Sequence, residues 1–257
     1  MATWMTTRSL RRPLRPLPPP PRRGLARARP GRPATSAAAS SAPAAAAGAA
    51  ETLAWRPRGR TPSADAPGAR LVPVGHPMLR VPCAPVLKQD FGSPRLRKLV
   101  DDMNVIMDKH LAMGLSAPQL GVPLQVCAYQ YLAEWMTEES AEDDRLRGVV
   151  ATPRTFLVNP KVKVIGTDVT IDMEACLSID NLCALVKRAR VIEVTARDLE
   201  DRPVQFRAEN YMARILQHEV DHLRGILFVD RMYTRTLRTI DMINAPLPDN
   251  YANLPDR

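Results

Sequence analysis

The chain has 257 residues, a formal net charge of +9 and four cysteines. Residues 1–70 hold 13 Arg, no Lys and only Glu51 and Asp65 as acids, a net of +11, so residues 71–257 carry −2. The basic charge therefore belongs to the N-terminal segment, and the remaining 187 or so residues suffice for one well-cored domain without an electrostatic footprint for nucleic acid.

The N-terminal segment is Arg-rich, with a proline tract at Pro18–Pro21 and an Ala/Ser tract over residues 34–50. No apolar run follows the first arginines, which argues against a secretory signal, and none approaches the roughly 20 residues of a membrane span. The composition fits an organellar transit peptide and linker over 1–70, mitochondrial ahead of plastid because Arg outweighs Ser and Thr. A catalytic domain is expected over 71–245 and a short tail over 246–257. Cys83, Cys127, Cys176 and Cys183 form no disulfide framework and read as buried thiols or ligands.

Gly75-His76-Pro77 reads as a turn into an extended segment, with His76 a surface residue. Ser93 and Pro94 make an N-cap and first-turn pair. Leu96, Leu99, Val100, Met103, Ile106 and Met107 follow at helical spacing, predicting a helix from Pro94 to Leu111. Gly114-Leu115-Ser116-Ala117-Pro118-Gln119-Leu120-Gly121 has the small residues of a loop that brings backbone close to a ligand. Gln119 supplies an amide able to donate to a bound oxygen.

Leu124–Tyr131 reads as a strand, and the charged stretch 134–147 as a solvated loop or short helix. Phe156–Val158, Val162–Ile165, Val169–Met173, Val191–Ala196 and Val204–Phe206 are β-branched or apolar runs divided by turn residues. A helix, then strands, then a further helix favours an α+β domain, its mixed or antiparallel sheets packed around that last helix.

The last helix is expected from Glu209 to Leu223 and contains Gln217-His218-Glu219-Val220-Asp221-His222. Residues four apart on a helix share a face with Cβ atoms about 5–6 Å apart, so the imidazoles of His218 and His222 can reach one metal ion at about 2.0–2.1 Å. Glu219 lies beside them, placed to exchange protons with a metal-activated water. At ~100° per residue, Tyr211, Ile215, His218, Glu219 and His222 share one arc. Asn210, Arg214, Gln217, Asp221 and Arg224 fall on the opposite arc, read as facing water, and Gly225 suits the end of the helix. An unpaired carboxylate on a buried arc is expensive, which favours a metal site over a chance motif.

The third ligand separates the classes that use such a helix. The spacing His218 to Gly225 agrees with H-E-x-x-H-x-x-G-x-x-H, but Phe228 stands where its last histidine belongs, and no Glu follows Glu219. An upstream donor remains. Cys176, in Glu174-Ala175-Cys176-Leu177-Ser178, offers a thiolate, although a lone cysteine is more often an inert core thiol. Two other readings stay open: an endopeptidase built on the same helix, and a closed structural metal site completed by Cys183.

Together these residues resemble the peptide deformylase family. Gly114 to Gln119, Glu174 to Ser178 and Gln217 to His222 match its three motifs in order, within a resemblance running from about Val74 to Arg235. The long leader and the Ala-Arg-Ile-Leu before Gln217 resemble its organellar, mitochondrial-type branch. The resemblance implies Cys176, His218 and His222 as ligands of one divalent metal ion, Fe2+ as the native metal with Zn2+, Co2+ or Ni2+ able to replace it. It implies Glu219 as acid and base, and an oxyanion pocket from the Gln119 side chain and the Leu177 backbone N–H. Substrate contacts are expected at Gly114, Tyr211 and Ile215. A Glu174–Arg188 pair is also implied. The implied reaction removes the N-formyl group from N-formylmethionyl nascent peptides, with an organellar ribosome as an expected neighbour. Three departures from the family pattern stand out: Ala175 for the usual glycine, Asp180 where proline or a small residue is common, and Cys183 where an arginine often faces the substrate.

Overall fold

Ser93 begins the first long helix by accepting the Leu96 backbone N–H at 3.2 Å, with Pro94 in the first turn. This helix, α1 (Pro94–His110), buries Leu96, Leu99, Met103, Ile106 and Met107 and ends at left-handed Leu111. The computed structural model describes residues 69–246 apart from Glu139. The expected transit peptide and tail therefore lie, but for their innermost residues, outside the described residues.

After α1 come β1 (Gly114–Ser116), β2 (Val126–Tyr131), α2 (Ala141–Leu146), β3 (Thr152–Val164), β4 (Val169–Cys176), β5 (Ile179–Ala189), β6 (Val191–Arg197), β7 (Pro203–Glu209), α3 (Asn210–His222) and β8 (Arg238–Thr239). A five-stranded sheet has the order β1-β2-β3-β6-β7, and a three-stranded sheet the order β4-β5-β8. Every strand pairing in both is antiparallel. Helix α3 packs against strands of the larger sheet and against β5 of the smaller one. One apolar cluster joins α1 to β1, β2 and β3 through Met103, Leu115, Val126 and Val158. A second joins α3 to the larger sheet through Leu157, Ile192, Val194 and Leu216. Under the smaller sheet, Leu79, Ile179, Val186, Leu227 and Phe228 form a third. The expected α+β architecture around the motif helix is what the chain adopts.

Several expectations need correction. The two runs around Asn159-Pro160 belong to one strand, β3, whose register shifts between Val158 and Lys161. Asn159 takes the left-handed conformation (φ 53°) and its amide bonds both polar backbone groups of Val86. The turn signal was real, but asparagine tolerates that conformation inside a bulged strand. The segment after Pro77 forms a 3-10 turn, capped by His76 accepting the Met78 N–H at 3.3 Å. Gly114–Ser116, expected as loop, is a short strand on β2. Strand β5 was not anticipated, because Asp180, Asn181, Lys187 and Arg188 hide its alternation. The charged stretch includes a short helix, yet its Asp144 is buried and accepts from the Tyr131 hydroxyl at 2.9 Å.

The helix carrying the motif also departs from the expected two-sided pattern. Arg214 and Asp221, assigned to the wet arc, are each only 3% exposed. Strands flank α3 on more than one side, so a charged residue there is retained by pairing instead of solvation. Gly225 follows at φ 74°, its N–H donating to the His222 carbonyl at 3.0 Å. A Cβ there would lie 2.7 Å from the Arg80 backbone, so close approach as well as conformation calls for glycine.

Candidate metal centre and active site

Strand β4 ends at Cys176, and a two-residue turn, Leu177–Ser178, leads straight into β5. This hairpin presents the Cys176 sulfur to α3, where His218 and His222 stand one turn apart. One ligand atom from each of Cys176, His218 and His222 lies within 4.8 Å of the others. Cys176 Sγ is 3.3 Å from His222 Nε2, and the two imidazole centroids are 4.9 Å apart. His218 Nδ1 is 3.0 Å from Glu174 Oε2. That contact leaves Nε2 of the ring for the cluster, the arrangement in which a carboxylate orients a metal-binding imidazole.

This donor set fits a divalent cation. Thiolate and imidazole are the ligands that suit zinc, and imidazole also suits iron, nickel and copper. Burial, with the charge of His218 next, lowers the pKa of His222 well below the ordinary range and keeps its ring neutral, the form that ligates metal. Its Nδ1 is buried with no hydrogen-bond partner among the described residues. Burial opposes charge on His218 as well, but hydrogen bonds to Cys176 and Glu174 outweigh it and raise that pKa. Phe228, which occupies the place of a possible downstream histidine, instead stacks against His218 at 6.4 Å between centroids.

Glu219 is buried in a polar niche formed with Ser116. Its Oε2 accepts the Ser116 hydroxyl at 2.6 Å, and the same hydroxyl is 2.9 Å from the Glu219 carbonyl. Burial raises the Glu219 pKa, while His218 and the Ser116 hydrogen bond pull the other way. A buried carboxylate next to a metal-ligand cluster is placed where a proton could be accepted and returned. Ser116 was not singled out from sequence, although it lies within the same Gly114–Gln119 motif. Gly114 has a steric reason to be glycine: a Cβ there would be 2.2 Å from Glu219 Oε1.

Gln119 is 2% exposed, and its orientation is fixed from both ends. Oε1 accepts the Ser116 N–H at 2.8 Å, leaving Nε2 3.4 Å from Cys176 Sγ and 3.5 Å from Ser178 Oγ. The Leu177 backbone N–H makes no hydrogen bond among the described residues. Gln119 Nε2 therefore lies beside the Cys176 sulfur, and Leu177, next in the chain after Cys176, lines the same pocket.

A pocket opens beside these groups. Gly114, Tyr211 and Ile215, the three expected substrate contacts, all line it, together with Met113 and Met173. The Tyr211 hydroxyl donates to Met113 Sδ at 3.4 Å, and burial pushes its pKa up to about 12, so it stays neutral. The two methionines were missed from sequence because single Met residues outside a motif read as packing.

Below the cluster lies a buried ion-pair network. Arg188 grips Glu174 with two parallel bonds of 2.9 Å and also pairs with Asp221. Arg214 reaches Glu174 Oε1 at 2.7 Å, and Arg231 holds Asp221 at 2.6 and 2.8 Å. The expected Glu174–Arg188 pair is present, within a larger network than motif reading suggested. Ala175 does not adopt positive φ, so replacing glycine there stores no backbone strain. Cys183 is fully buried on β5, its Sγ donating to the Thr239 carbonyl at 3.8 Å. It is not in the ligand cluster found among the described residues, which removes the support for a closed site completed by Cys183.

The fold and this centre define a candidate metal site, three ligand atoms within 4.8 Å of one another beside the buried carboxylate of Glu219. Residues 69–238 match the family model described as polypeptide deformylase. The chain belongs to that family, whose members remove the N-formyl group from nascent peptides. It is 35% identical over 182 residues to tomato peptide deformylase 1A, chloroplastic, an alignment covering 69% of this chain and 64% of that protein. To the human mitochondrial peptide deformylase it is 36% identical over 177 residues, covering 68% of this chain and 72% of the other. Among solved structures, a Met-Ala-Ser-bound class I type b peptide deformylase from Acinetobacter baumannii superposes with a TM-score of 0.57 at 28% identity, covering 64% of this chain and 98% of that one. An actinonin complex of the Synechococcus elongatus enzyme gives 0.54 at 32% identity, covering 65% of this chain and 82% of that one.

Proposed function

We propose that this chain hydrolyses the formamide of N-formylmethionyl nascent peptides, releasing formate and a free N-terminal methionine. Cys176, His218 and His222 hold one divalent cation, natively Fe(II), which Zn, Co or Ni replaces with retention of the ligand set. A cation held there supplies Lewis acidity, acidifying water and polarising the formyl carbonyl. The observation that carries the reading is the convergence of those three donors within 4.8 Å beside a buried, separately hydrogen-bonded Glu219.

Glu219 accepts a proton from the attacking water as the new C–O bond forms, then returns it to the amine as the C–N bond breaks. Gln119 Nε2 and the Leu177 N–H stabilise the charge that develops on the formyl oxygen. One such donor is worth about 2.7–4 kcal/mol in the transition state. Ser116 keeps Glu219 oriented, and Gln119 keeps its donor end fixed through the Ser116 N–H. The methionine side chain enters the pocket between Tyr211, Ile215, Met113 and Met173.

The compartment we propose is the mitochondrion, on the Arg-rich leader and on relatives named mitochondrial and chloroplastic; the substrate then arises at an organellar ribosome. Among the described residues no helix is long and apolar enough to cross a membrane. The test is Glu219→Ala, with formate release from a formyl-methionyl peptide measured beside metal content. Retained metal with activity reduced by about 10²-fold or more supports the assignment; retained metal with retained activity removes Glu219 from its role.

A further inference from the structure

Arg214 has no part in the reaction set out above, yet it lines the same pocket as Tyr211 and Ile215 and is almost fully buried. It stands one helical turn before His218. Nη1 donates to Glu174 Oε1 at 2.7 Å and to the Val186 carbonyl at 2.8 Å. Nη2 donates to the Thr170 carbonyl at 2.9 Å and to its hydroxyl at 3.0 Å. Nη1 also reaches the Asp172 carbonyl at 3.4 Å, so a single side chain from α3 holds three positions of β4 and one of β5.

Burying a guanidinium is costly unless its donors are matched, and here the matched acceptors lie on β4 and β5, of which β4 walls the pocket through Met173–Cys176. Strand β4 alternates its side chains between faces. Thr170 and Glu174 meet Arg214, and Glu174 lines the pocket together with its neighbours Met173 and Ala175. The pocket is bounded on one side by Tyr211 and Ile215 of α3 and on the other by Met173 and Ala175 of β4. Arg214 spans those two elements.

We propose that Arg214 is a positioning residue for substrate selection: by fastening β4 to α3 it sets the width of the pocket that takes the first side chain of the peptide. The proposal rests on the deformylase reading of this site. Lysine cannot reproduce the clamp, because it offers one compact charge where the planar fork reaches Glu174, Val186 and Thr170 together.

The test compares wild type with Arg214→Lys, Arg214→Met and Thr170→Val, each checked for thermal midpoint and metal content. kcat and KM are measured for N-formyl dipeptides beginning with Met, Leu or Phe. Loss of the clamp widens the gap, so selectivity for Met over Phe falls by about tenfold or more, the scale set by a misfit of about one methylene, and the change appears mainly in KM. Thr170→Val, which removes one acceptor and keeps the side-chain shape, shifts the ratio the same way by less. Equal loss on all three substrates, or an unchanged ratio in Arg214→Lys, overturns the proposal. Affinities of the unformylated peptides, measured by calorimetry, read the same ratio without turnover. A wild type that binds Met over Phe peptides but releases no formate refutes the deformylase reading alone.

Discussion

Gly114 and Glu219 are so close that any side chain on the first would occupy the space of the second: a Cβ at Gly114 falls 2.2 Å from Glu219 Oε1 and 2.9 Å from its Cγ. The two residues lie on different elements, β1 and α3, and the contact fixes where the carboxylate can stand. Gly114→Ala is expected to push Glu219 out of reach of its Ser116 hydroxyl. Misplacing a reacting group by about 1 Å costs about 10²-fold, so kcat should fall by that order while metal content stays at the wild-type level. Steady-state formate release with metal analysis checks it.

Glu174 predicts an acid-sensitive link between site and stability. Burial alone would raise its pKa, but Arg188 and His218 hold it well below the ordinary carboxylate range. Its folded value lies under the unfolded one of about 4.3. The stabilisation it gives is therefore complete above that unfolded value and is lost as pH falls through it towards the folded value. Glu174→Gln should lower stability at pH 7 by about 3–5 kcal/mol, because Arg188 and Arg214 are left buried beside a neutral amide. The variant should also lose part of the stability decline below about pH 4.3. Denaturant unfolding at pH 7 and between pH 3 and 5 measures both effects.

The four thiols should separate by chemistry. Burial pushes the Cys83 thiol up to about 11 and raises Cys127 and Cys183 as well, so all three are neutral and slow to alkylate at pH 8. Cys176 lines the pocket. Alkylation of the metal-loaded protein should modify few sites, and prior chelation should expose one new site, mapped by mass spectrometry to Cys176. Equal labelling of Cys176 with and without chelator would contradict its role as a ligand.

Motif reading from sequence located most of the cluster, because His218, Glu219 and His222 are local on one helix and their spacing has geometric meaning. Cys176 enters as an upstream thiolate candidate and becomes the third ligand only through resemblance, since nothing in its spacing from α3 shows that the β4–β5 hairpin turns its sulfur towards the histidines. Strand β5 escaped notice because exposed Asp180, Asn181 and Lys187, and Arg188 buried in its ion pairs, interrupt its apolar residues. The same cause placed Arg214 and Asp221 on a wet arc: a helical wheel records polarity, and it cannot see that Glu174 and Arg188 are waiting on the facing strands. Ser116 was hidden for another reason. A serine in a loop-like motif has many uses, and only the fold shows its hydroxyl 2.6 Å from Glu219.

The most direct test of the central claim follows formate release from one formyl-methionyl tripeptide through three states of the same purified chain. These are the protein as isolated with a divalent metal, the protein after chelation, and the protein after the metal is restored. We expect release in the first state, its loss in the second, its return in the third, and no return in Cys176→Ala. Release that persists in the fully metal-free protein, or that returns undiminished without the Cys176 sulfur, would contradict the account.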